Sequence, residues 1–323
     1  MVDERKMRHS VWIRAASVAG FALAATTVSG SACAAGGAVL APADVPASAR
    51  TQLESAIAQA RKDDPKSFED VAALRRRLPA LDAQKRGDVA MVAVPLEDMG
   101  PRGLWPIVEE LAFTAQPQGD VAPGAWRDWR VALIEALGLL HDVRTEPLVL
   151  ALLAKPDADV PLLRASVEAA GRLGTRAAVS KIVSLKPADP ALRRAVWEGM
   201  GECHNLACVQ SLSGALQAKP DAETTAVIAR AIGRSASSWA WQTPALASTG
   251  EGPAVRALAA KALMNALPSA AVETSRPALF RALGVVEDPS TAQLARDLRK
   301  KADPELARDL DKLIDRLAAP PAR

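Results

Sequence analysis

The chain has 323 residues, of which 49% are hydrophobic and 24% are charged. Residues 1–34 carry four of its 40 basic and two of its 37 acidic residues, so the remainder holds 36 against 35 and is almost neutral. That balance excludes the basic face that nucleic-acid binding requires. With only four Phe and no Tyr, the composition favours closely packed helices over a sheet.

The N-terminus has the pattern of a secretory signal peptide. Basic residues precede an apolar or small run from Ala15 to Val28, and Ala32-Cys33-Ala34 supplies an A-x-A cleavage site. A membrane anchor is the alternative interpretation. The run is only about 14 residues long, however, whereas a spanning helix needs ~20. We predict cleavage after residues 1–34 and export to the periplasm or cell envelope. No transmembrane segment is predicted in the mature chain.

Cys33 is a candidate for lipidation, which would tether the mature protein as a lipoprotein. The small residues Gly30-Ser31-Ala32 before it resemble a lipobox, but Gly30 stands where Leu is usual. The sequence therefore leaves two forms open, a free exported protein and one with an N-terminal lipid anchor.

The first part of the mature chain divides into two segments. Small residues and prolines in 35–46 predict a flexible lead-in, and 47–87 reads as N-terminal helices, over Ser48 to Arg61 and Ser67 to Leu78. The basic run Arg75-Arg76-Arg77 lies between apolar positions, which is typical of a solvated helix face.

From residue 88 to 323 the sequence repeats itself. Four glycines, at 138, 171, 201 and 233, are spaced by 33, 30 and 32 residues, and Glu135, Glu168 and Glu198 each precede one of the first three by three positions. Such a period predicts a stack of helix pairs. The first helix of each pair is predicted to end in its Gly, which permits either a left-handed C-terminal turn or a close helix crossing. The second helices are predicted over Val143 to Leu153, Arg176 to Leu185 and Leu206 to Leu216.

Two stretches carry a family resemblance. Ala136-Leu137-Gly138-Leu139-Leu140-His141-Asp142 and Arg281-Ala282-Leu283-Gly284-Val285-Val286-Glu287-Asp288-Pro289 resemble the A-L-G-x-L-G-D-P signature of HEAT-like repeats, the short class first described in phycobilisome lyases. The resemblance implies an all-α, right-handed α-solenoid of stacked antiparallel helix pairs. The resemblance gives little information about the biochemical activity of the protein.

The repetition fails in 235–252, a Ser-rich segment that holds Trp239 and Trp241. Tryptophan is enriched at interface hot spots, so both are candidate partner-binding residues; a loop that covers the stack explains them equally well. Asp303-Pro304-Glu305 then starts a helix with an N-cap, an early proline and an acid. Its one apolar stripe is typical of a terminal capping helix.

Cys203 and Cys208 are the thiols that remain after cleavage, and they flank one predicted helix-pair turn. In an exported protein this favours a disulfide. Buried free thiols are an alternative, and so is a metal site of Cys203, His204 and Cys208, although a closed zinc site requires four ligands. We predict no metal and no cofactor.

The chain contains none of the common catalytic motifs. The series Glu135, Glu168 and Glu198, with an Arg near each, could form a charged stripe; a solvated face with pairs inside each helix is the simpler interpretation. We therefore expect a non-enzymatic scaffold that binds an unidentified protein or peptide. The alternatives are a lyase-like enzyme or accessory that holds a small ligand, and a lipid-anchored structural spacer.

Overall fold

The computed structural model describes residues 36–84 and 92–318, and within them every regular element is a helix. The α-helices, in chain order, are α1 (Ala47–Asp63), α2 (Pro65–Arg76), α3 (Leu78–Ala83), α4 (Ala93–Glu97), α5 (Leu104–Ala112), α6 (Pro123–Leu139), α7 (Glu146–Ala154), α8 (Val160–Leu173), α9 (Arg176–Ser184), α10 (Pro190–Gly199), α11 (Leu206–Gln217), α12 (Ala222–Ser235), α13 (Pro244–Ala247), α14 (Gly252–Ala266), α15 (Ser275–Val286), α16 (Thr291–Arg299) and α17 (Pro304–Ala318). The all-α prediction is confirmed. No helix in the described ranges combines the length and apolar character needed to cross a membrane.

An aspartate starts the first helix of three successive repeats, α8, α10 and α12. The Asp159 carboxylate accepts the backbone N–H of Leu162 at the start of α8, and Asp189 and Asp221 cap α10 and α12 in the same way. Each cap satisfies a backbone donor that has no partner inside the helix. The polar spacers between the sequence repeats therefore define where helices begin.

The helices from α6 onward pack in two rows. In one row α6, α8, α10, α12 and α15 are successive neighbours, and in the other α7, α9, α11, α14 and α16 are. Because α14 packs between α11 and α16, it is the second helix of the unit that α12 opens. Residues 236–251 are thus an insertion inside one helix pair, and the pairing after Pro253 is decided by the packing.

The repeated glycines mark close helix crossings. A Cβ built on Gly138 would lie 2.7 Å from the Cα of Ala169, and one on Gly233 would lie 3.1 Å from the Cα of Ala282. Neither glycine has a positive φ. Of the two explanations that the sequence offers for these glycines, close crossing is the one the structure supports.

Residues 36–46 differ from the predicted flexible lead-in. Leu40 and Val45 are buried in the core, and the N–H groups of Ala38 and Leu40 donate to the carbonyls at the end of α5. The Asp44 carboxylate pairs with Lys155, and this bond lowers its pKa. The segment is held by these backbone hydrogen bonds to α5 and by the burial of Leu40 and Val45.

The prediction of a solvated face for Arg75-Arg76-Arg77 is wrong at Arg75. That side chain is buried, with its residue only 8% exposed, and its Nε lies 3.2 Å from the carboxylate of Glu110. Its guanidinium also donates to the side chain of Gln116 and lies over the ring of Trp126. Arg75 therefore fastens α2 to the 114–124 connector, while Arg76 and Arg77 are exposed.

The last helix is built as expected. Asp303 caps α17 by accepting the N–H groups of Glu305 and Leu306. Leu306, Leu310 and Leu313 are buried on one face, and the remaining positions are exposed or half-buried. The helix therefore covers the α15–α16 end of the described body with an apolar stripe and leaves its polar face to water.

Candidate functional site

The candidate site is assembled around the turn between α10 and α11. Cys203 and Cys208 form a disulfide across this turn, with their Cα atoms 6.2 Å apart, and both are fully buried. The disulfide prediction is confirmed. The bond engages two of the three side chains of the alternative metal set, and no group of three or more His, Cys, Asp or Glu suited to a metal ion occurs in the described part of the chain.

Ser235, the last residue of α12, joins the disulfide turn to the insertion that follows. Its hydroxyl donates to the carbonyl of Cys203. Its own carbonyl accepts two hydrogen bonds, from Nδ1–H of His204 and from Nε1–H of Trp241, both at 3.0 Å. Fully satisfied buried networks of this kind hold one local geometry.

The two tryptophans of the insertion have different environments. Trp241 is 6% exposed; its ring meets the edge of His204 with centroids 6.5 Å apart and packs on Gly252. It therefore fills the gap between the disulfide turn and the start of α14. Burial leaves it no surface for a partner, so of the two predicted partner-binding residues only Trp239 is available.

Trp239 is 76% exposed, the highest value among the exposed large apolar residues of the described ranges. The preceding residue, Ser238, is fixed to the neighbouring helix pair: its N–H donates to the carbonyl of Val285 at 3.1 Å, and its hydroxyl donates to Glu287 at 2.6 Å. Val285 is itself exposed. We call residues 235–243 the tryptophan turn.

The far end of the insertion is also attached to the disulfide turn. A carboxylate oxygen of Glu251 accepts the N–H of Leu206, the first residue of α11, at 3.2 Å, and Asn205 caps the same helix. The exposed indole is thus presented by a segment that is hydrogen-bonded at its start, beside Trp239 and at its end. Sequence reasoning missed Ser235, Ser238 and Glu251; the Ser-rich composition of 235–238 was the available signal.

A charged network lies beside the disulfide turn. Glu168 of α8 is buried and lies 3.5 Å from Arg234 of α12 and 3.8 Å from Arg172. Glu202, one residue before Cys203, pairs with the same two arginines. In α8 the expected pairs inside the helix, from Glu168 to Arg164 and Arg172, are present. Further pairs join α8, the disulfide turn and α12.

The two acids of this network have opposite pKa shifts. Burial raises the pKa of Glu168 against the attraction of Arg172, Arg164 and Arg234. Burial also acts on Glu202, but the hydrogen bond from Arg234 and the charge of Arg172 outweigh it and lower its pKa. Perturbed acids occur in structural ion-pair networks as well as in active sites. Here each acid faces arginines rather than an open cleft, which favours a structural role.

The remaining predicted polar residues are dispersed. Glu198 lies 3.9 Å from Arg164, whereas Arg130 pairs with Asp157 instead of a repeat Glu. His141 is exposed on a turn with φ +50°, while His204 is packed against Trp241. No protein-family model matches the sequence, and no curated protein is significantly similar to it.

Proposed function

We propose that this chain is an exported, non-catalytic scaffold of the bacterial cell envelope, built as a HEAT-like α-solenoid, and that it binds a protein or peptide through the tryptophan turn. Export rests on the N-terminal pattern of residues 1–34, with Cys33 as the candidate lipid anchor. The observation that carries the binding proposal is the 76% exposure of Trp239.

Leaving an indole in water is unfavourable. A buried Trp removes ~150–250 Å² from water, and at ~25 cal/mol/Å² this corresponds to about 4–6 kcal/mol. Most of the Trp239 side chain stays in contact with water in the described fold, so folding gains little of this free energy. Burial of the side chain against a partner would gain it. Scattered exposed aliphatic residues are ordinary, but a Trp of this exposure is unusual.

The attachment of the turn favours binding further. Ordering a loop on association costs free energy, and a contact residue that is already held avoids part of this cost. The bonds from Ser238 to Val285 and Glu287 hold the backbone beside the indole before a partner arrives. The buried disulfide and Trp241 support the same turn from inside. A mere covering loop would need Trp241 buried but would give no reason for Trp239 to face outward.

Affinity capture tests the proposal. Wild type, Trp239→Ala and the matched surface control Val143→Ala, which truncates another exposed apolar side chain, are immobilised and incubated with envelope extract. The captured protein is then purified and titrated against each variant. We expect Trp239→Ala to weaken binding by about 30-fold, the size of a 2 kcal/mol hot spot, and Val143→Ala to change it less than three-fold.

Two results would contradict the proposal. Equal affinity of wild type and Trp239→Ala would remove the tryptophan turn as the contact surface. Capture by wild type of nothing beyond what the bare matrix retains would contradict the scaffold function itself. Circular dichroism and thermal melting of each variant establish that a lost interaction is not a lost fold.

A further inference from the structure

A second feature of the described body is a half-open groove where α9, α10 and α11 meet. Its volume is about 410 Å³, and its lining includes Leu185, Lys186, Arg193, Trp197, Ser211 and Ala215. All but three of the lining residues are apolar, the exceptions being Lys186, Arg193 and Ser211. Sites for free small molecules enclose about 300–1,000 Å³, so the groove is large enough for such a ligand.

Trp197 of α10 forms the aromatic wall of this groove. It stands four positions before a repeat glycine, where the other repeats have Ile134, Val167 and Ala229. Those three residues are fully buried, whereas Trp197 is half-buried. The neighbouring α11 contributes only the small side chains of Ser211 and Ala215 to the lining. The third repeat thus holds its largest side chain where the fold does not cover it completely.

Two cationic side chains lie at the groove without a protein partner. Lys186 and Arg193 are exposed, and within residues 36–84 and 92–318 the side chain of neither forms an ion pair or a hydrogen bond. No acid belongs to the lining. The nearest acid along the chain, Asp189, accepts the N–H groups of Ala191 and Leu192 at the start of α10. Even with Asp189 counted, two positive charges stand against one negative charge.

This lining defines the ligand by its chemistry. An aromatic ring packs favourably on an indole, and a carboxylate accepts charge-assisted hydrogen bonds from Lys and Arg. We propose that the groove binds small carboxylic acids with an aromatic body, with the ring against Trp197 and the carboxylate near Lys186 and Arg193. Such binding goes beyond the scaffold function and does not depend on the tryptophan turn.

Isothermal titration calorimetry of the purified protein with 4-phenylbutanoate tests the proposal. The matched ligand control is 4-phenylbutanamide, which has the same body and no charge. We expect 4-phenylbutanoate to bind at one site with a Kd of about 1 mM or lower, an affinity within reach of a ligand of this size. The amide should bind about ten-fold more weakly, because it cannot form the charged contacts.

Variants of the lining locate the site. Lys186→Gln and Arg193→Gln should each weaken 4-phenylbutanoate about three-fold, as expected of an exposed ion pair, and leave the amide unchanged. Arg176→Gln removes an equal charge at the exposed first residue of α9, outside the lining, and should change neither affinity. Ala215→Leu fills the space of the ring and should weaken both ligands about ten-fold or more. Its control is Gln210→Leu, at an exposed position of α11 outside the lining, which should have no effect.

Several outcomes would overturn the proposal. These are no binding of 4-phenylbutanoate by calorimetry or by broadening of its NMR signals, equal affinity for acid and amide, losses in Arg176→Gln that match those in Arg193→Gln, and unchanged binding in Ala215→Leu. Trp239→Ala should bind 4-phenylbutanoate like wild type, because Trp239 lies outside the lining; a loss there would place the ligand on the tryptophan turn instead. The capture experiment with envelope extract probes a different surface, so failure of the groove proposal and failure of the scaffold function are separate observations.

Discussion

Gly138 of α6 lies directly against the backbone of α8, so that a methyl group added to Gly138 would sit 2.7 Å from the Cα of Ala169. Real Cβ atoms do not approach that closely, and because the neighbouring atom belongs to the backbone, whole helices would have to separate. The periodic glycine of the sequence therefore allows the first helices of consecutive repeats to pack closely against each other.

Gly138→Ala should consequently destabilise the protein by about 2 kcal/mol, within the range for overpacked cores. Gly214→Ala is the matched control, because Gly214 is exposed inside α11 and a Cβ there would meet nothing within 4 Å. That change should stabilise by ~0.5–1 kcal/mol through helix propensity. Urea unfolding of both variants measures the difference, and a neutral Gly138→Ala would show that the crossing can relax.

The two tryptophans of the insertion should respond differently to truncation. Trp241→Ala opens a cavity beneath the disulfide turn and removes the hydrogen bond to Ser235, so we expect a loss of ~3–5 kcal/mol. Trp239→Ala should change the free energy of unfolding by no more than ~0.5 kcal/mol, as for other surface substitutions. Chemical denaturation checks both values; comparable losses would mean that Trp239 is also structural.

Replacing Cys203 and Cys208 together by Ala should destabilise by about 2 kcal/mol, the chain-entropy value for so short a loop. Because both sulfurs are buried, dithiothreitol should reduce the native protein far more slowly than the protein in 6 M urea. Alkylation followed by mass spectrometry reads out both states. Equal rates would indicate that the turn opens readily in the native state.

Glu135 gives a pH-dependent prediction. Burial, and secondarily the charge of Glu168, raise its pKa above the ordinary value of 4.5, so the folded chain holds the proton to higher pH than the unfolded chain does. Stability is then lost as pH rises from 4.5 through the folded pKa. Glu135→Gln stays neutral, and we expect its Tm to exceed the wild-type Tm at pH 7 by roughly 1–2 °C, on a scale of ~2–4 °C per kcal/mol.

That gain should shrink toward zero at pH 4, where the wild-type acid is protonated in both states. Glu54→Gln, at an exposed position of α1, is the control and should show a smaller difference at pH 7. Differential scanning calorimetry at pH 4, 5.5 and 7 provides the comparison. A gain of Glu135→Gln that grows on acidification would have the opposite sign and would contradict the assigned cause.

Arg75 tests the buried pair at the start of the described body. Arg75→Met removes the cation beside Glu110 and should cost about 3 kcal/mol, as expected when one partner of a buried ion pair is deleted. The neighbouring exposed Arg76→Met should change stability by under ~0.5 kcal/mol. Thermal and urea unfolding measure the change in stability of both variants. Similar changes would indicate that Arg75 is solvated like Arg76, as the sequence predicts.

The sequence alone predicted the helical character, several helix starts and the disulfide, because these depend on local chemistry. An aspartate cap or an early proline acts within the first turn of a helix, and the short separation of Cys203 and Cys208 limits how far apart they can lie. The same locality explains why Asp303 and the apolar stripe of α17 were predictable.

The tertiary structure decided which side chains are buried where the pattern is irregular. Arg75 and Arg76 are adjacent in the sequence, as Trp239 and Trp241 nearly are, yet one of each pair is buried and the other exposed. Their environments are created by residues many positions away, among them Glu110 for Arg75 and Gly252 for Trp241. Long-range packing of this kind has no local signature, and it is what leaves Trp239 facing solvent.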